Sequence, residues 1–248
     1  MTKKTENGTA DEGIGSTRAQ AEFDLLADQY RELHTENVAV TGESPEYFSE
    51  YKVADLAALV DRLSVPSARI LDFGSGIGNS LPFFRRYFST SEITCADASA
   101  RSMEVAQGRF PGEERYVLIE RTVPLPEASQ DVVFSACVFH HIPHEDHRYW
   151  LAELLRITRP GGLLVIYEHN PMNPLTVRAV NTCALDENAH LVRGRVLRKR
   201  ALTGGWERAD VDYKMFFPAV LAKLRPLERH LEWLGLGAQY RMMARRSL

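Results

Sequence analysis

The chain has 248 residues, of which 44% are hydrophobic, enough for one sizeable core but not for two large independent domains. Its 30 Lys and Arg against 33 Asp and Glu give a net charge of −3, so the sequence lacks the basic field that drives nucleic-acid binding. The composition therefore excludes a disordered or fibrous protein, and it favours a small-molecule partner over a nucleic acid.

The cysteines and the apolar segments indicate the cellular compartment of the protein. Cys95, Cys137 and Cys183 are odd in number and form no C-x-x-C pair, which disfavours a disulfide framework and a cysteine-built zinc site. The amino-terminal segment has no apolar signal sequence, and no apolar stretch is long enough to cross a bilayer. We therefore expect a cytoplasmic protein that is neither exported nor inserted into a membrane.

The amino-terminal quarter divides into a polar leader and two helices. Residues 1–17 are rich in Gly, Thr, Glu and Lys without periodicity, as in a disordered leader. Residues 17–33 and 47–63 place apolar side chains three and four positions apart, which predicts two amphipathic helices. We interpret residues 18–66 as a helical lid over a small ligand; an exposed amphipathic helix around residues 41–52 is the alternative.

From residue 68 onward, short apolar runs alternate with segments of helix length. The runs carry no inside-outside alternation, and they occupy residues 68–73, 92–97, 115–120, 131–139 and 162–169. Buried strands connected by helical crossovers form a parallel sheet covered on both faces, so we predict a doubly wound α/β core over residues 67–248. The pattern continues with a basic helix to about residue 201, a strand at 212–218, a helix at 219–234 and a strand at 238–246.

The strongest local signal is an apolar strand that runs into three alternating glycines. Asp72 lies near the end of the strand, and Gly74, Gly76 and Gly78 follow before the next helix. Glycine tolerates positive φ and has no side chain, so this backbone can approach a ligand closely. A dinucleotide-binding fingerprint, G-x-G-x-x-G, would need glycine where the chain has Asn79, which disfavours NAD or FAD.

A second acid, Asp97, ends the next predicted strand. Its offset from the glycines is about the one at which a carboxylate meets ribose hydroxyls, and a carboxylate can bind both hydroxyls of a diol. Alternatively, Asp97 caps the helix that begins near Ser99. Together with the glycine loop, the position of Asp97 favours the ligand-binding role.

Four segments occur in a characteristic order: LDFGSGIGNS, CADAS, LPEASQDVVFSACVFHHI and RPGGLLVIYEHN. They resemble the class I S-adenosylmethionine-dependent methyltransferases, in particular their UbiE-like small-molecule branch. The resemblance implies a Rossmann-like, doubly wound sheet of seven strands, mostly parallel, whose last strand is antiparallel, and it implies S-adenosylmethionine as cofactor. The residues it implies for cofactor binding are Asp72, Gly74, Ser75, Gly76 and Gly78 at the methionine part, Asp97 at the ribose, and Tyr30, Ala98 and Cys137 elsewhere around the cofactor.

The chain departs from this family after the third strand. The family usually has Asp, followed by a small residue, against the adenine, whereas this sequence reads Ile119-Glu120-Arg121-Thr122. We take Glu120 as the adenine contact, and another side chain at that strand end is the open alternative.

Methyl transfer to oxygen or nitrogen also requires a group that removes a proton. His141 and His169 follow the fourth and fifth strands, where ligands collect in open α/β sheets, and histidine titrates near neutral pH. We predict one of them as general base, the alternative being that an imidazole packs beneath the loop against backbone. Residues 140–147 also resemble metal ligands, but Pro143 and the acids after it fit the first turn of a helix, so we expect no metal site.

These observations predict an enzyme that methylates O, N or C of a small metabolite, in a glycan or natural-product pathway. Residues at about 170–205, too rich in Pro and Asn at their start to be regular, are predicted to be a substrate-side insertion that forms an acceptor wall. The alternatives are a protein that binds the cofactor but catalyses a non-methylating step or acts as a scaffold, and an NAD(P)-dependent oxidoreductase or epimerase. Formation of a homodimer through residues 231–240 stays open.

Overall fold

The fold is known from a computed structural model that describes residues 41–248 together with Asp24, Leu33, Thr35 and Val38. The predicted leader at 1–17 and Tyr30 lie outside the described residues, as does most of the predicted helix at 17–33. The boundaries of the leader and of the helical lid therefore stay predictions.

One mixed sheet of seven strands organises residues 41–248. Its strands are β1 (Arg69–Phe73), β2 (Glu92–Asp97), β3 (Arg115–Leu118), β4 (Gln130–Ala136), β5 (Thr158–His169), β6 (Arg208–Lys214) and β7 (Gln239–Arg245). The spatial order is β3-β2-β1-β4-β5-β7-β6. Strands β1 to β5 pair in parallel, whereas β7 runs antiparallel to both of its neighbours. The predicted Rossmann-like sheet with an antiparallel last strand is confirmed.

Helices cover both faces of this sheet. They are α1 (Pro45–Leu63), α2 (Leu81–Tyr87), α3 (Ala100–Arg109), α4 (His147–Ile157), α5 (Pro174–Asn181) and α6 (Gly194–Thr203). Successive residues of a strand point to opposite faces, so Ile70 belongs to the buried cluster of α1 and α2, and Leu71 to that of α4 and α6. Burial on both faces explains why the strands show no alternation in hydropathy.

Helix α1 begins and ends as its sequence dictates. Ser44 accepts a hydrogen bond from the Tyr47 amide, and Pro45, which has no amide hydrogen, lies in the first turn. Ser64 terminates the helix in the left-handed region, with a φ of 51°. The C-terminal half of α1 is buried in the core, and its N-terminal half reaches the cavity described below.

The carboxyl-terminal part differs from the prediction in two elements. The sixth strand lies at Arg208–Lys214 rather than at 212–218, because Met215 has a φ of 62°, in the left-handed region, which ends the extended chain. The segment Ala219–His230 forms 3₁₀ turns rather than an α-helix, because Pro226 lacks the amide hydrogen that a continuous helix needs.

The start of the predicted insertion is more regular than its composition indicated. Asn173 accepts hydrogen bonds from the amides of Leu175 and Thr176 and so caps α5, and Pro174 occupies the first turn. The Asn and Pro residues that argued against regular structure are therefore the start signal of a helix. The prediction of an irregular stretch is wrong for α5.

A partly buried ionic network joins α1 to the antiparallel half of the sheet. The carboxylate of Asp55 accepts hydrogen bonds from Tyr167 Oη at 2.6 Å, Lys214 Nζ at 3.1 Å and Arg241 Nη1 at 2.7 Å. The side chains of Lys214 and Arg241 are only 3% and 2% exposed. Burial opposes the ionisation of Asp55, but the two cations more than offset it and lower its pKa. The network fixes α1 against β5, β6 and β7.

We predict that Asp55→Ala lowers the free energy of unfolding by about 2–3 kcal/mol, because it removes the carboxylate that two buried cations share and leaves Lys214 only Glu232 and Arg241 only Asp212. Urea titration followed by circular dichroism measures this change. Asp210→Ala is the matched control, since the ion pair of Asp210 with Arg208 is exposed and should contribute less than about 1 kcal/mol. Equal losses in the two variants would contradict a structural role for the network.

Candidate functional site

A cavity of about 220 Å³ opens at the carboxyl ends of β1, β2 and β4. Strand β1 pairs with β2 on one side and with β4 on the other, so the strand order reverses at this point. In open α/β sheets, such a switch point is where ligands bind. Eight of the predicted cofactor-binding residues line the cavity: Asp72, Gly74, Ser75, Gly76, Asp97, Ala98, Glu120 and Cys137.

The glycine loop between β1 and α2 forms one wall of the cavity. Its three glycines have φ values from 51° to 77°, in the region that favours glycine. A Cβ atom on Gly74 would lie 2.3 Å from Val138 Cγ2, so a side chain there would collide with the residues that follow β4. The amides of Gly74 and Ser75 both donate to the Ala96 carbonyl, at 2.7 and 3.1 Å, which ties the loop to β2.

Asp97 joins the glycine loop to the segment that leads into α3. Its Oδ2 accepts a hydrogen bond from the Gly76 amide at 2.7 Å, and its Oδ1 accepts one from the Ser99 amide at 2.8 Å. Burial raises the pKa of Asp97, and these amides offset only part of that effect. The capping residue of α3 is Ser99, whose hydroxyl accepts from the Ser102 amide, so the alternative role of Asp97 as the cap is wrong.

Asp72 is the second carboxylate of the cavity, and it is 2% exposed. Its Oδ2 has no hydrogen-bond partner among the residues that the structure describes. Burial and the nearby Asp97 raise the pKa of Asp72 to about 8. A cavity that holds two acids of raised pKa favours a ligand that carries positive charge.

The other predicted residues lie in different places. His141 lines the cavity, whereas His169 is not among the lining residues and contacts Cys137 instead. Gly78 is also absent from the lining and packs against α3, where an added Cβ would lie 3.0 Å from Ala106 Cβ. Gly78 therefore lets the glycine loop pack closely against α3, on the side away from the cavity lining.

Cys137 follows β4 with a φ of 59°, a conformation that a non-glycine residue adopts only under constraint. Lys52 Nζ donates to its Sγ at 3.5 Å, and Gln239 Nε2 donates at 3.7 Å. Burial alone would raise the pKa of this thiol, but Lys52 and His169 lower it to about 7, against the opposing charge of Glu168. The cavity therefore holds a group whose ionisation changes near neutral pH.

Lys52 and Gln239 were not among the predicted site residues, although Lys52 carries a visible signal in the sequence. It stands four residues after Phe48 and four before Leu56, on the apolar face of α1. A lysine on such a face is buried only when a partner receives its charge, and Lys52 is 7% exposed. Gln239 has no comparable signal, because only the antiparallel pairing of β7 with β5 brings it beside His169.

A second polar cluster adjoins the cavity at the end of β5. Glu168 Oε1 accepts from the amides of Val138 and Phe139, at 2.9 and 2.7 Å, and Oε2 accepts from His140 Nδ1 at 2.6 Å. His140 is thus the imidazole that packs beneath the loop, held by a carboxylate rather than by backbone. Burial would lower the pKa of His140, but Glu168 and Asp186 raise it well above its usual value.

Asp186 reaches this cluster from the segment after α5. Its Oδ1 lies 3.3 Å from His140 Nε2 and 3.6 Å from His141 Nε2. Burial and His140 lower the pKa of His141 to about 3, so that imidazole is neutral at pH 7. No local pattern in the sequence marks Asp186, because long-range packing alone brings it to the site.

Comparison with known proteins identifies residues 71–166 as a match to the family described as Methyltransferase domain. The chain is 25% identical over 182 residues to a malonyl-[acyl-carrier protein] O-methyltransferase of Methylococcus capsulatus, covering 70% of this chain and 65% of that protein. It is 32% identical over 172 residues to a trans-aconitate 2-methyltransferase of Rhodopseudomonas palustris, covering 66% of this chain and 59% of that protein. The chain thus spans less than two thirds of the length of these curated relatives.

The fold is similar to that of a SAM-dependent methyltransferase from Thermotoga maritima. The TM-score is 0.66 at 16% identity, over 92% of this chain and 100% of that one. Residues 71–166, which match the methyltransferase domain, contain the glycine loop, both cavity acids and Cys137, whereas Ser49 and Lys52 line the cavity from outside the matched range. Within the described part of the chain, no helix has the length and apolar character needed to cross a membrane.

We predict that iodoacetamide alkylates Cys137 with a half-maximal rate near pH 7, because the thiolate is the reacting form. Lys52→Met should move this midpoint upward by about one pH unit, since it removes a cation that stabilises the thiolate. Lys199→Met, which alters an exposed lysine of α6, is the control. Mass spectrometry after digestion measures the labelling of each cysteine.

The other two cysteines provide an internal reference for this experiment. Cys95 and Cys183 are buried, and burial raises the pKa of both thiols, so they should stay unlabelled at pH 7. A Cys137 midpoint that stayed the same in Lys52→Met would contradict the role of Lys52.

We further predict that Asp72→Asn stabilises the protein, and more so at pH 8 than at pH 5. Folding raises the pKa of Asp72 from 3.8 to about 8, so between these values the folded state holds a proton that the unfolded chain releases. Stability is therefore lost as the pH rises through this window, and the amide avoids a loss of about 2 kcal/mol or more at pH 8. Thermal unfolding at both pH values measures the effect, and a gain in Tm independent of pH would exclude ionisation as its cause.

Proposed function

We propose that this protein, which carries a methyltransferase domain at residues 71–166, transfers a methyl group from S-adenosylmethionine to O, N or C of a small metabolite. The observation that carries the proposal is the pair of acids, Asp72 and Asp97, beside a glycine loop at the switch point of the sheet. Both acids have a raised pKa, so the cavity favours a cationic ligand.

The residues around the cavity fit S-adenosylmethionine, which carries a sulfonium, an ammonium and a ribose diol. Asp72 Oδ2 is an acceptor without a partner among the described residues, and the absence of a side chain at Gly74 lets the backbone come close to a ligand. We assign the methionine part to Asp72, Gly74, Ser75 and Gly76, the ribose to Asp97 with Ala98 beside it, and the adenine to Glu120. Gly78 supports the turn, and Tyr30 stays a proposed cofactor contact.

When bound, S-adenosylmethionine supplies an electrophilic methyl group on a positively charged sulfur. The chain's own residues then have to align the acceptor, exclude water and receive the acceptor's proton. Val138, Ile142 and Trp150 give the cavity an apolar wall, which keeps water away from the acceptor.

We assign proton acceptance to Cys137 rather than to either predicted histidine. Cys137 lines the cavity, and its pKa of about 7 suits a general base at neutral pH. Lys52 and His169 stabilise the thiolate and act as positioning residues. His141 also lines the cavity, but with a pKa of about 3 its imidazole is neutral and a weak base. We therefore assign to His141 a hydrogen bond to the methyl acceptor rather than proton removal.

The acceptor is proposed to lie between the N-terminal half of α1 and the insertion at about 170–205. Ser49 and Lys52 of α1 line the cavity, and Asp186 of the insertion lies 3.6 Å from His141, which also lines it. We propose a small metabolite of a glycan or natural-product pathway as acceptor, on the family resemblance alone. Three free cysteines fit a reducing compartment, and we propose the cytoplasm.

Calorimetric titration tests the proposed cofactor. We expect S-adenosylmethionine and S-adenosylhomocysteine to bind, and Asp97→Ala to weaken both by about 100-fold, because the ribose loses its acceptor and the glycine loop loses its anchor. Glu104→Ala, which removes an exposed acid of α3, should bind as the unaltered protein does. Mass spectrometry of acceptors then detects the gain of one methyl group.

Two outcomes of this experiment would contradict the proposal in different ways. Binding of NAD in place of S-adenosylmethionine would favour the oxidoreductase alternative. Cofactor binding without methyl transfer to any tested metabolite would favour the non-methylating or scaffold alternative.

A further inference from the structure

Beside the cofactor cavity, two imidazoles and one carboxylate converge on one point. The donor atoms of His140, His141 and Asp186 all lie within 4.8 Å of one another. Asp186 Oδ1 is 3.3 Å from His140 Nε2 and 3.6 Å from His141 Nε2. Among the residues that the structure describes, this is the one cluster of His, Cys, Asp or Glu side chains with such spacing.

The two distances from Asp186 Oδ1 are close to those between ligands of a single metal ion. With metal–ligand bonds of about 2.0–2.1 Å and tetrahedral angles, neighbouring ligand atoms are about 3.3–3.4 Å apart. The alternative, in which Asp186 Oδ1 accepts hydrogen bonds from both imidazoles, gives lengths of 3.3 and 3.6 Å. Charge-assisted hydrogen bonds to carboxylates are normally about 2.7–2.9 Å long, so the metal geometry accounts for these distances better.

The cluster also contains the outer partner that metal-binding histidines usually have. His140 Nδ1 lies 2.6 Å from Glu168 Oε2, which leaves Nε2, facing Asp186, as the nitrogen that would bind a metal ion in exchange for its proton. The amides of Val138 and Phe139 hold Glu168 in turn. The order of carboxylate, imidazole and metal is the one found around zinc ligands.

We propose that His140, His141 and Asp186 bind one divalent transition-metal ion of the zinc or iron class. Two imidazoles and one carboxylate form the ligand set of catalytic zinc and non-haem iron sites, in which at least one position stays open for water or substrate. Mg²⁺ prefers oxygen ligands and is not expected to bind. Because His141 lines the cavity, the ion lies at the cavity wall.

Binding of a metal ion at this site does not depend on its use in catalysis. Metal binding depends only on the three side chains and on Glu168. That the open position takes the acceptor's oxygen or nitrogen rests on the proposed function, since it requires a methyl acceptor in the cavity.

The structure also shows why the neighbouring histidines do not belong to the site. His147 Nε2 lies within hydrogen-bond distance of the carbonyl oxygens of Phe139 and Ile142, and His144 Nε2 is 3.1 Å from the His190 carbonyl. In the sequence analysis, the prediction of no metal site applied to residues 140–147 taken together. The proposed set takes two residues from that run and one that lies 46 positions after His140.

Metal titration of the full-length protein tests the site without any methyl acceptor. The protein is stripped with a chelator and titrated with Zn²⁺, Fe²⁺ under anaerobic conditions or Mg²⁺, and elemental analysis after gel filtration counts the bound ions. We expect one Zn²⁺ or Fe²⁺ per chain and no retained Mg²⁺. His141→Ala and Asp186→Ala should weaken Zn²⁺ binding by more than about 100-fold, and Glu168→Gln by about 10-fold to 100-fold.

The controls separate this site from surface histidines and from misfolding. His144→Ala and His190→Ala remove exposed histidines nearby and should retain Zn²⁺ as the unaltered protein does. Circular dichroism of each metal-free variant checks that it is folded. If an alanine variant unfolds, the Zn²⁺ affinity of Glu168→Gln, which keeps an acceptor oxygen, tests the site instead.

Two results would overturn the proposal. One is Zn²⁺ affinity that is the same in the unaltered protein and in the His141 and Asp186 variants, which would assign the ion to other groups. The other is an unaltered protein that binds S-adenosylmethionine but neither Zn²⁺ nor Fe²⁺. Zn²⁺ binding without S-adenosylmethionine binding would contradict the proposed function and leave the metal site standing.

Discussion

Two carboxyl groups of raised pKa, at the carboxyl ends of β1 and β2, constrain the rest of the site. Asp72 and Asp97 face one cavity, where Asp97 adds to the effect of burial on the pKa of Asp72. The glycine loop lets the Gly76 amide, rather than a bulky side chain, bind Asp97. Asp72 keeps an oxygen without a partner among the described residues, and a buried oxygen of this kind is stabilised when a ligand supplies a donor or a positive charge.

Near the end of β5, Glu168 holds the segment that follows β4, because both of its carboxylate oxygens are hydrogen-bonded. Its oxygens accept two backbone amides and one imidazole, and His140 more than offsets burial, lowering the pKa of Glu168 to about 2. Glu168 thereby fixes the backbone just after Cys137 and the direction from which His141 meets the cavity. Asp72 in β1 thus keeps an unpaired oxygen among the described residues, whereas Glu168 in β5 uses both of its oxygens to hold the segment that follows β4.

Structural features that depend on contiguous residues could be predicted from the sequence. Features that depend on contacts between residues far apart in the chain could not. The apolar strands and the three glycines after Asp72 are local patterns, so the fold and the position of the glycine loop could be predicted from them. Lys52 and Asp186 reach the site only through packing of segments far apart in the chain. The choice of histidine as base was made on residue type, whereas burial and neighbouring charge set the pKa of His141 and Cys137.

Because β7 lies between β5 and β6, the order of the strands in this part of the sheet differs from their order in the chain. Strand β6 pairs only with β7, which follows it in sequence, so β6 has no partner until residues 239–245 arrive. During synthesis on the ribosome, the parallel half of the sheet can form while the edge of β5 is still unpaired. Until β7 pairs with it, that edge presents unpaired backbone groups of the kind to which another chain can add a strand.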